Sequence, residues 1–253
     1  MWIYLYPNNT ETALSNAYIH QPATPITTAW IYRSSDLWVI SFQTSNWVWI
    51  SIADKDLWAT TVLGKGNGYQ RWNNYWWIYW TPAWNTSSTL VDASAYWPWN
   101  YYSSDTFILT TANWDSPVNN NLRWAITDTY AARRWPCPEW WHIPSLSDCQ
   151  DLVNAISSIT GSVDASKIIE YTKLPEAYGM INTTWTWIPN HFYWILMSDV
   201  VEVSDTYKVR LLYIPENKSS YNLNENFQKA NWWQYRPFSN TFIQPTNEWT
   251  QLN

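Results

Sequence analysis

Short hydrophobic runs separated by polar stretches recur along this chain, a pattern typical of β-strands. Four runs are rich in β-branched and aromatic residues: "LWVISF" (37–42), "VWISIAD" (48–54), "KVRLLYI" (208–214) and "QYRPF" (234–238). Between them lie Asn, Ser, Thr and Pro, which favour turns. Residues 81–125 are polar and have no helical period, so we expect a long loop there. The sequence predicts a chain made mainly of short strands and loops.

One segment, residues 145–160, has the period of an amphipathic helix. Ser145 with Asp148 three residues later resembles a capping box, and Gly161 suits the position just after a helix. Apolar residues recur three or four positions apart within the segment: Leu146, Cys149, Leu152, Val153, Ile156 and Ile159.

A second, shorter helix is predicted over residues 164–174, with Asp164 as its N-cap and Pro175 after its end. Two helices among many short strands predict an α+β fold. Because its connections are long, we expect loops to carry the function.

Tryptophan stands at positions where turn chemistry favours glycine. Trp follows Asn or flanks Pro in "AYWPWNYY" (95–102), "ANWDSP" (112–117), "RRWPCPEWW" (133–141) and "KANWW" (229–233). A positive φ at such sites costs glycine nothing but is unfavourable for a large residue. Glycine normally makes up about 7% of residues, yet this chain of 253 residues has 5 Gly and 24 Trp.

Two explanations of the tryptophans remain open. In the first, the surface is rich in Trp, as in proteins that stack indoles on sugar rings. In the second, some of these positions are glycine, because some bacterial lineages read the UGA codon as glycine. Translation with a table that reads UGA as tryptophan would then exchange the two residues.

Charge and hydropathy exclude two classes of partner. The chain has 14 Lys and Arg against 20 Asp and Glu, a net charge of −6, and its largest basic cluster is the pair Arg133 and Arg134. Phosphate binding needs a concentrated basic face, so we expect no nucleic-acid partner. No apolar run approaches the roughly 20 residues that span a bilayer. The start "MWIYLYPNNTET" lacks the basic and apolar regions of a signal peptide.

Several blocks resemble the Fibrobacter succinogenes major paralogous domain. "ISIADKDLWATTV" (50–62) resembles that family's "IADKNLGATTV", and "GNGYQRWNNYW" (66–76) resembles "GNYYQWGNNYG". "YWPWNYYSSDTFI" (96–108) resembles "YGPGNYYSSSTFI", and "AARRWPCPEWWHIPSLSD" (131–148) resembles "ARRGPCPEGWHVPSLSE". "FYWILMSD" (192–199) and "KANWWQYRPF" (229–238) lie where the family has "YYWSSS" and "RANGFSVRCF".

This resemblance, over residues 47–240, implies a C-type lectin-like fold related to the formylglycine-generating-enzyme-like branch. Such domains have small twisted antiparallel sheets, two helices and long irregular loops, and are typically secreted or displayed at the cell surface. The domain would span residues 46–246, between an N-terminal β segment (1–45) and a C-terminal tail (247–253). The family has glycine where this chain has Trp58 and Trp140.

Catalytic and metal-binding patterns are weak. His20, His142 and His191 are far apart and match no metal-binding or catalytic motif. Cys137 and Cys149 could form a disulfide or remain buried thiols. The enzyme branch of the fold uses a cysteine pair near the C-terminus, which this chain lacks. We therefore expect no enzyme and no cofactor, with a structural Ca²⁺ between loops as an alternative.

The residues most typical of a binding surface lie in segment 190–228. Rigid aromatics lose little entropy on binding, and amides supply adaptable hydrogen bonds. In proteins of this fold that retroelements diversify, the variable residues also lie near the C-terminus. We predict a ligand surface that includes Tyr193, Ile195, Leu196, Met197, Tyr207, Arg210, Tyr213, Asn217, Tyr221, Asn222 and Asn224.

The sequence thus predicts a non-catalytic binding module outside the cell, recognising a protein or glycan on another cell or a phage. Ile195, Leu196 and Met197, which replace the family's three serines, are expected to be exposed. A simpler hypothesis is that the aromatics of 190–228 merely pack on the sheet. A Trp-rich carbohydrate-binding protein and an enzyme of the formylglycine-generating type are two further hypotheses for the function.

Overall fold

The structure is a computed structural model whose described residues form two helices and mainly antiparallel sheets, so the α+β prediction is confirmed. It describes residues 29–34, 38–46, 48–64, 66, 68–70, 76–77, 86–89, 107–108, 137–138, 140–181, 186–203, 206–228, 232–244 and 250–252. The elements in chain order are β1 (Trp30–Ser34), β2 (Val39–Gln43), β3 (Trp49–Ala53), β4 (Gly68–Gln70), β5 (Trp76–Trp77), β6 (Thr86–Ser87), β7 (Phe107–Ile108), β8 (Trp141–His142), α1 (Leu146–Thr160), α2 (Ala165–Thr172), β9 (Ala177–Ile181), β10 (Thr186–Val203), β11 (Thr206–Ile214), β12 (Asn222–Gln228), β13 (Trp232–Gln234), β14 (Phe238–Ser239) and β15 (Thr250–Gln251).

A six-stranded sheet joins both ends of the described chain in the order β15-β1-β2-β3-β14-β8. Strands β1, β2 and β3 form successive antiparallel pairs, with Ile40 opposite Ile52. The predicted domain boundary at residues 45 and 46 falls in the turn between β2 and β3, where the Thr44 N–H donates to the Val48 carbonyl at 3.1 Å. Strands from all three predicted segments therefore share one sheet, which does not divide at that boundary.

A seven-stranded sheet has the order β12-β11-β10-β9-β13-β4-β5. Its longest antiparallel pairings join β10 to β11 and β11 to β12. The predicted strands 37–42, 48–54 and 208–214 are confirmed within one or two residues as β2, β3 and β11. A short parallel pair, β6 with β7, lies within the predicted loop 81–125, most of which is outside the described residues.

The predicted strand 234–238 is wrong. Gln234 ends β13 and Phe238 begins β14, and the three residues between them are buried outside any strand. Pro237 has no N–H for a sheet ladder, while its carbonyl accepts the Ala53 N–H at 2.9 Å. The chain crosses here from one sheet to the other, so the two ends of this run belong to two different strands.

Helix α1 begins and ends where the sequence predicts. The Ser145 hydroxyl accepts the Asp148 N–H at 3.2 Å, and the Asp148 carboxylate accepts the Ser145 N–H at 2.7 Å. Gly161 follows the last turn with a φ of 78°, and its N–H donates to the Ser157 carbonyl at 2.9 Å. The capping box and the glycine stop therefore both form as predicted.

Helix α2 is shorter than predicted. Asp164 is its N-cap, as expected, and accepts the Lys167 N–H at 2.9 Å. The helix stops after Thr172, because Lys173 takes a left-handed conformation with a φ of 54°. In the part of the chain that the structure describes, neither helix is long and apolar enough to cross a membrane.

The main core lies between α1 and both larger sheets. Apolar residues of β1 to β3, of α1 and of β10 and β11 belong to one buried cluster. Cys149 lies within this cluster on α1 and is fully buried. Cys137 is buried too, and the two cysteines are not joined by a disulfide. Of the two alternatives that the sequence left open for these cysteines, the structure shows buried thiols.

The buried side chain of Arg236 connects β3, the segment after it and the end of α2. Its Nε donates to the Asp56 carboxylate at 3.0 Å. Its Nη1 donates to the carbonyls of Ala53 and Thr172, each at 2.9 Å, and its Nη2 to the Lys173 carbonyl at 3.1 Å. Burial raises the pKa of Asp56, and the neighbouring guanidinium acts in the opposite direction.

Replacing Ser145 by Ala should lower the free energy of unfolding by about 1 kcal/mol, because the Asp148 N–H loses its capping acceptor. Urea unfolding would measure the loss. Ser147→Ala is the matched control, since Ser147 is exposed in the first turn of the same helix. Equal losses in the two variants would contradict the capping role.

Replacing Asp56 by Ala should lower the free energy of unfolding by about 3–5 kcal/mol, because it leaves the Arg236 guanidinium buried without its carboxylate. Asp151→Ala, at an exposed position of α1, should change it by at most about 0.5 kcal/mol. The double variant Asp56→Ala with Arg236→Met should recover part of the loss, since no charge then remains buried. A double variant no more stable than Asp56→Ala would argue against the ion pair as the cause.

Candidate functional site

Strands β10, β11 and β12 bring most of the predicted ligand residues onto one three-stranded unit. Trp194 lies opposite Tyr213, and Tyr213 lies opposite Asn222. Leu211 lies opposite Glu225. Because residues directly opposite in an antiparallel pair project to the same face, this register sorts the predicted residues between two faces.

The face toward α1 belongs to the core. Tyr193, Ile195 and Met197 pack in the core cluster with α1, and Tyr221 packs against its edge. Arg210 is half-buried and stands two residues before Leu212, a core residue of the same strand, so alternation directs it to this side. These five predicted residues therefore do not share a surface with Tyr213.

The expectation that Ile195, Leu196 and Met197 are exposed is wrong, since all three are 0% exposed. Leu196 projects opposite to its two neighbours and is still buried, so both faces of β10 are covered here. The next two residues of the strand contact the start of α1. The Ser198 N–H donates to the Pro144 carbonyl at 2.7 Å, and the Asp199 carboxylate accepts the Leu146 N–H at 2.6 Å. A consecutive apolar run is what a strand covered on both faces requires.

The opposite side of β10 to β12, here called the outer face, carries Phe192, Trp194, Tyr213, Asn222 and Glu225. The ring of Phe192 lies 4.7 Å from that of Trp194 and 5.5 Å from that of Tyr213, between ring centroids. Phe192 and Trp194 are buried, whereas Tyr213 is half-buried. Phe192, itself packed against Trp194, therefore supports a tyrosine that is partly open to solvent.

Polar groups on β12 are ordered beside this tyrosine. Asn222 Nδ2 donates to Glu225 Oε2 at 3.3 Å, and Asn222 Oδ1 accepts the Asn224 N–H at 2.8 Å. Asn222 and Asn224 are exposed, and Glu225 is half-buried. Burial raises the pKa of Tyr213, and the negative charge of Glu225 raises it further. A phenol, a carboxylate and amides thus stand together at the solvent edge.

The turn between β11 and β12 carries another predicted ligand residue, Asn217. Asn217 is exposed there, and its Oδ1 accepts both the N–H and the hydroxyl of Ser219, at 3.1 and 2.8 Å. Lys218 places its ammonium 5.3 Å from the centre of the Tyr193 ring. Asn217 therefore shapes the turn, in addition to being available at the surface. The side chain of Tyr207 lies outside the described part.

Sequence reasoning missed Phe192, Trp194 and Glu225. Phe192 and Trp194 stand two residues apart, the spacing that places strand residues on one face, and this signal could have found them. Glu225 could not be placed, because β12 is irregular between the partners of Leu211 and Tyr213. Among the described residues, no group of three or more His, Cys, Asp or Glu side chains could hold a metal ion.

Replacing Glu225 by Gln should lower the pKa of Tyr213, because a neutral amide no longer opposes the phenolate. Burial should still hold this pKa above its ordinary value. Since the folded state disfavours the phenolate, stability contributed by neutral Tyr213 is lost as the pH rises through its raised pKa. An NMR titration of the tyrosine Cζ carbons would measure the pKa, with Glu216→Gln in the exposed turn as the control. An equal effect of both variants would contradict the pairing.

Comparison with protein-family models, with curated proteins and with solved structures gives no match to this chain. The assignment of a function therefore depends on the geometry of the outer face and on the residue blocks that resemble a known family.

Proposed function

We propose that this chain is a non-catalytic binding module of C-type lectin-like fold that recognises a protein or glycan through its outer face. The proposal places it at the cell surface, with its ligand on another cell or a phage. Recognition depends on shape and hydrogen bonding by the part of this face that reaches solvent, at Tyr213, Asn222, Asn224 and Glu225, and makes or breaks no covalent bond.

The architecture is compatible with the fold named in this proposal. Two helices, antiparallel sheets and a chain that joins both ends in one sheet are all present in the described residues. The blocks at 50–62, 131–148 and 192–199, whose resemblance suggested the fold, contribute to β3, α1 and β10. They thus lie in elements that enclose the core.

The packing of Tyr213 against the buried ring of Phe192 is the observation that carries the proposal. Phe192 is itself packed against Trp194, so a half-buried tyrosine on this pair has little rotamer freedom left to lose when a ligand binds. Asn222 and Glu225 are likewise held by their hydrogen bond before any ligand arrives. Rigid aromatics beside ordered polar groups are the composition that binding hot spots favour.

Burial also limits which positions could vary in a diversified surface. Ile195, Leu196 and Met197 are core residues, so changes there would alter stability before they altered ligand choice. Partly or fully exposed positions can change side chain without opening a cavity. In this segment they include Tyr213, Asn217, Asn222, Asn224 and Glu225.

One observation favours a second candidate, a carbohydrate-binding protein that uses exposed indoles. Trp38 and Trp58 are 58% and 62% exposed. The Lys55 ammonium lies 3.5 Å from the centre of the Trp38 ring. An exposed indole with a cation beside it resembles a stacking surface for sugar rings.

Replacing Tyr213 by Ala should weaken ligand binding by about 2 kcal/mol or more, as expected for a central aromatic hot spot. Ligands selected from a glycan array and a displayed peptide library with the unmodified protein would serve as probes. Asn154→Ala, exposed on α1, is the control and should bind normally.

Thermal unfolding of the Tyr213→Ala variant should change little, because the side chain is only half-buried. Binding that falls only in proportion to lost folded protein would sink the proposal. Glycan binding kept by Tyr213→Ala but lost by Trp58→Ala would instead support the second candidate.

A further inference from the structure

Three tryptophans have a left-handed backbone. The φ angles of Trp38, Trp58 and Trp140 are 54°, 65° and 71°, close to the 78° of Gly161. In this region Cβ crowds the backbone, so it is populated mainly by Gly, and by Asn and Asp among other residues. Of the six non-glycine residues with positive φ in the described part, three are Trp and none is Asn or Asp.

Two of these tryptophans occupy the position of a turn that most favours glycine. The Ala59 N–H donates to the Asp56 carbonyl at 2.9 Å, so Trp58 is the third residue of a four-residue turn. The Trp141 N–H donates to the Pro138 carbonyl at 3.1 Å, so Trp140 is the third residue of another. A positive φ at the third residue is the feature for which type II turns select glycine.

The indoles of Trp38 and Trp58 are not held in place by burial. Both are more than half exposed, and the ammonium of Lys55 lies beside Trp38. A large side chain that buries little surface offers small compensation for an unfavourable backbone. Trp194 is the opposite case, with strand geometry and 4% exposure.

We infer that positions 38, 58 and 140 are glycine positions of this fold and that the native polypeptide carries glycine there, encoded by UGA codons that its host reads as glycine. The backbone angles separate these tryptophans from Trp194, whose indole the fold uses. They also identify Trp38, which lies outside the turn sequences and outside the blocks that resemble the family. Exposed indoles at 38 and 58 would then be absent from the native surface.

Peptide mass mapping of the protein isolated from its native host tests the inference directly. We expect glycine at residues 38, 58 and 140 and tryptophan at 194. Tryptophan at the three turn positions would overturn the inference, whatever the stability of recombinant variants. Glycine at 194 as well would overturn the use of the backbone angle to identify the exchanged positions, because the angle would then not distinguish the two groups.

Recombinant variants can test separately whether the backbone at these three positions favours glycine. Replacing Trp38, Trp58 or Trp140 by Gly should raise the melting temperature by about 2–4 °C each, as expected for the relief of left-handed strain in a chain of this size. Trp194→Gly is the matched control and should lower it, because it removes a buried ring. A lower melting temperature for the three turn variants would show that these positions are not built for glycine.

Discussion

The guanidinium of Arg236 is the contact on which the joining of the two sheets depends. Residues 235–237 cross between the sheets without strand pairing, so other groups must satisfy their backbone. The Leu57 N–H reaches the Tyr235 carbonyl at 2.8 Å, and the Ala53 N–H reaches that of Pro237. The Arg236 side chain binds this partner segment, residues 53–57, as well, through the Asp56 carboxylate and the Ala53 carbonyl. Backbone and side chain thus fix one crossing point together.

The same guanidinium also caps the C-terminus of α2. The carbonyls of Thr172 and Lys173 lie at a helix C-terminus, where they lack intrahelical donors and where a cation is favoured. Arg236 supplies both the donors and the charge. A buried charge is unfavourable unless it is paired and hydrogen-bonded. Here one carboxylate and three carbonyls meet that requirement, so the helix, β3 and the crossing segment are held by one side chain.

Sequence could predict the features that depend on near neighbours. The capping box of Ser145 and Asp148 and the stop at Gly161 need only residues a few positions apart, and they form as expected. Asp56 and Arg236 are separated by 180 positions, so no local pattern pairs them. The exposure predicted for Ile195 to Met197 is wrong for a related reason. A run of apolar residues indicates equally an exposed patch or a strand covered twice, and only tertiary packing decides between them.

The candidate site also has features that the sequence could predict and features that depend on tertiary structure. Residue type alone predicts Tyr213, Asn222 and Asn224 in a binding surface, and the structure shows that they have solvent-exposed parts. Residue type could not show that Tyr193 and Tyr221 face the core, since tyrosine suits both environments. It also could not place Glu225 beside Tyr213, because a bulge shifts the β11–β12 register there. The outer face is therefore a product of hairpin geometry as much as of composition.

The two candidate functions use different tryptophans, and the backbone treats these tryptophans differently. Binding through the outer face needs Trp194, which is buried in a strand and packs against Phe192, the ring that Tyr213 contacts. Sugar stacking needs Trp38 and Trp58, whose backbone favours a residue without Cβ. Glycine at those two turns would remove the stacking surface and leave the outer face unchanged. Glycine at positions 38 and 58 is therefore compatible with binding through the outer face but not with sugar stacking by these two indoles.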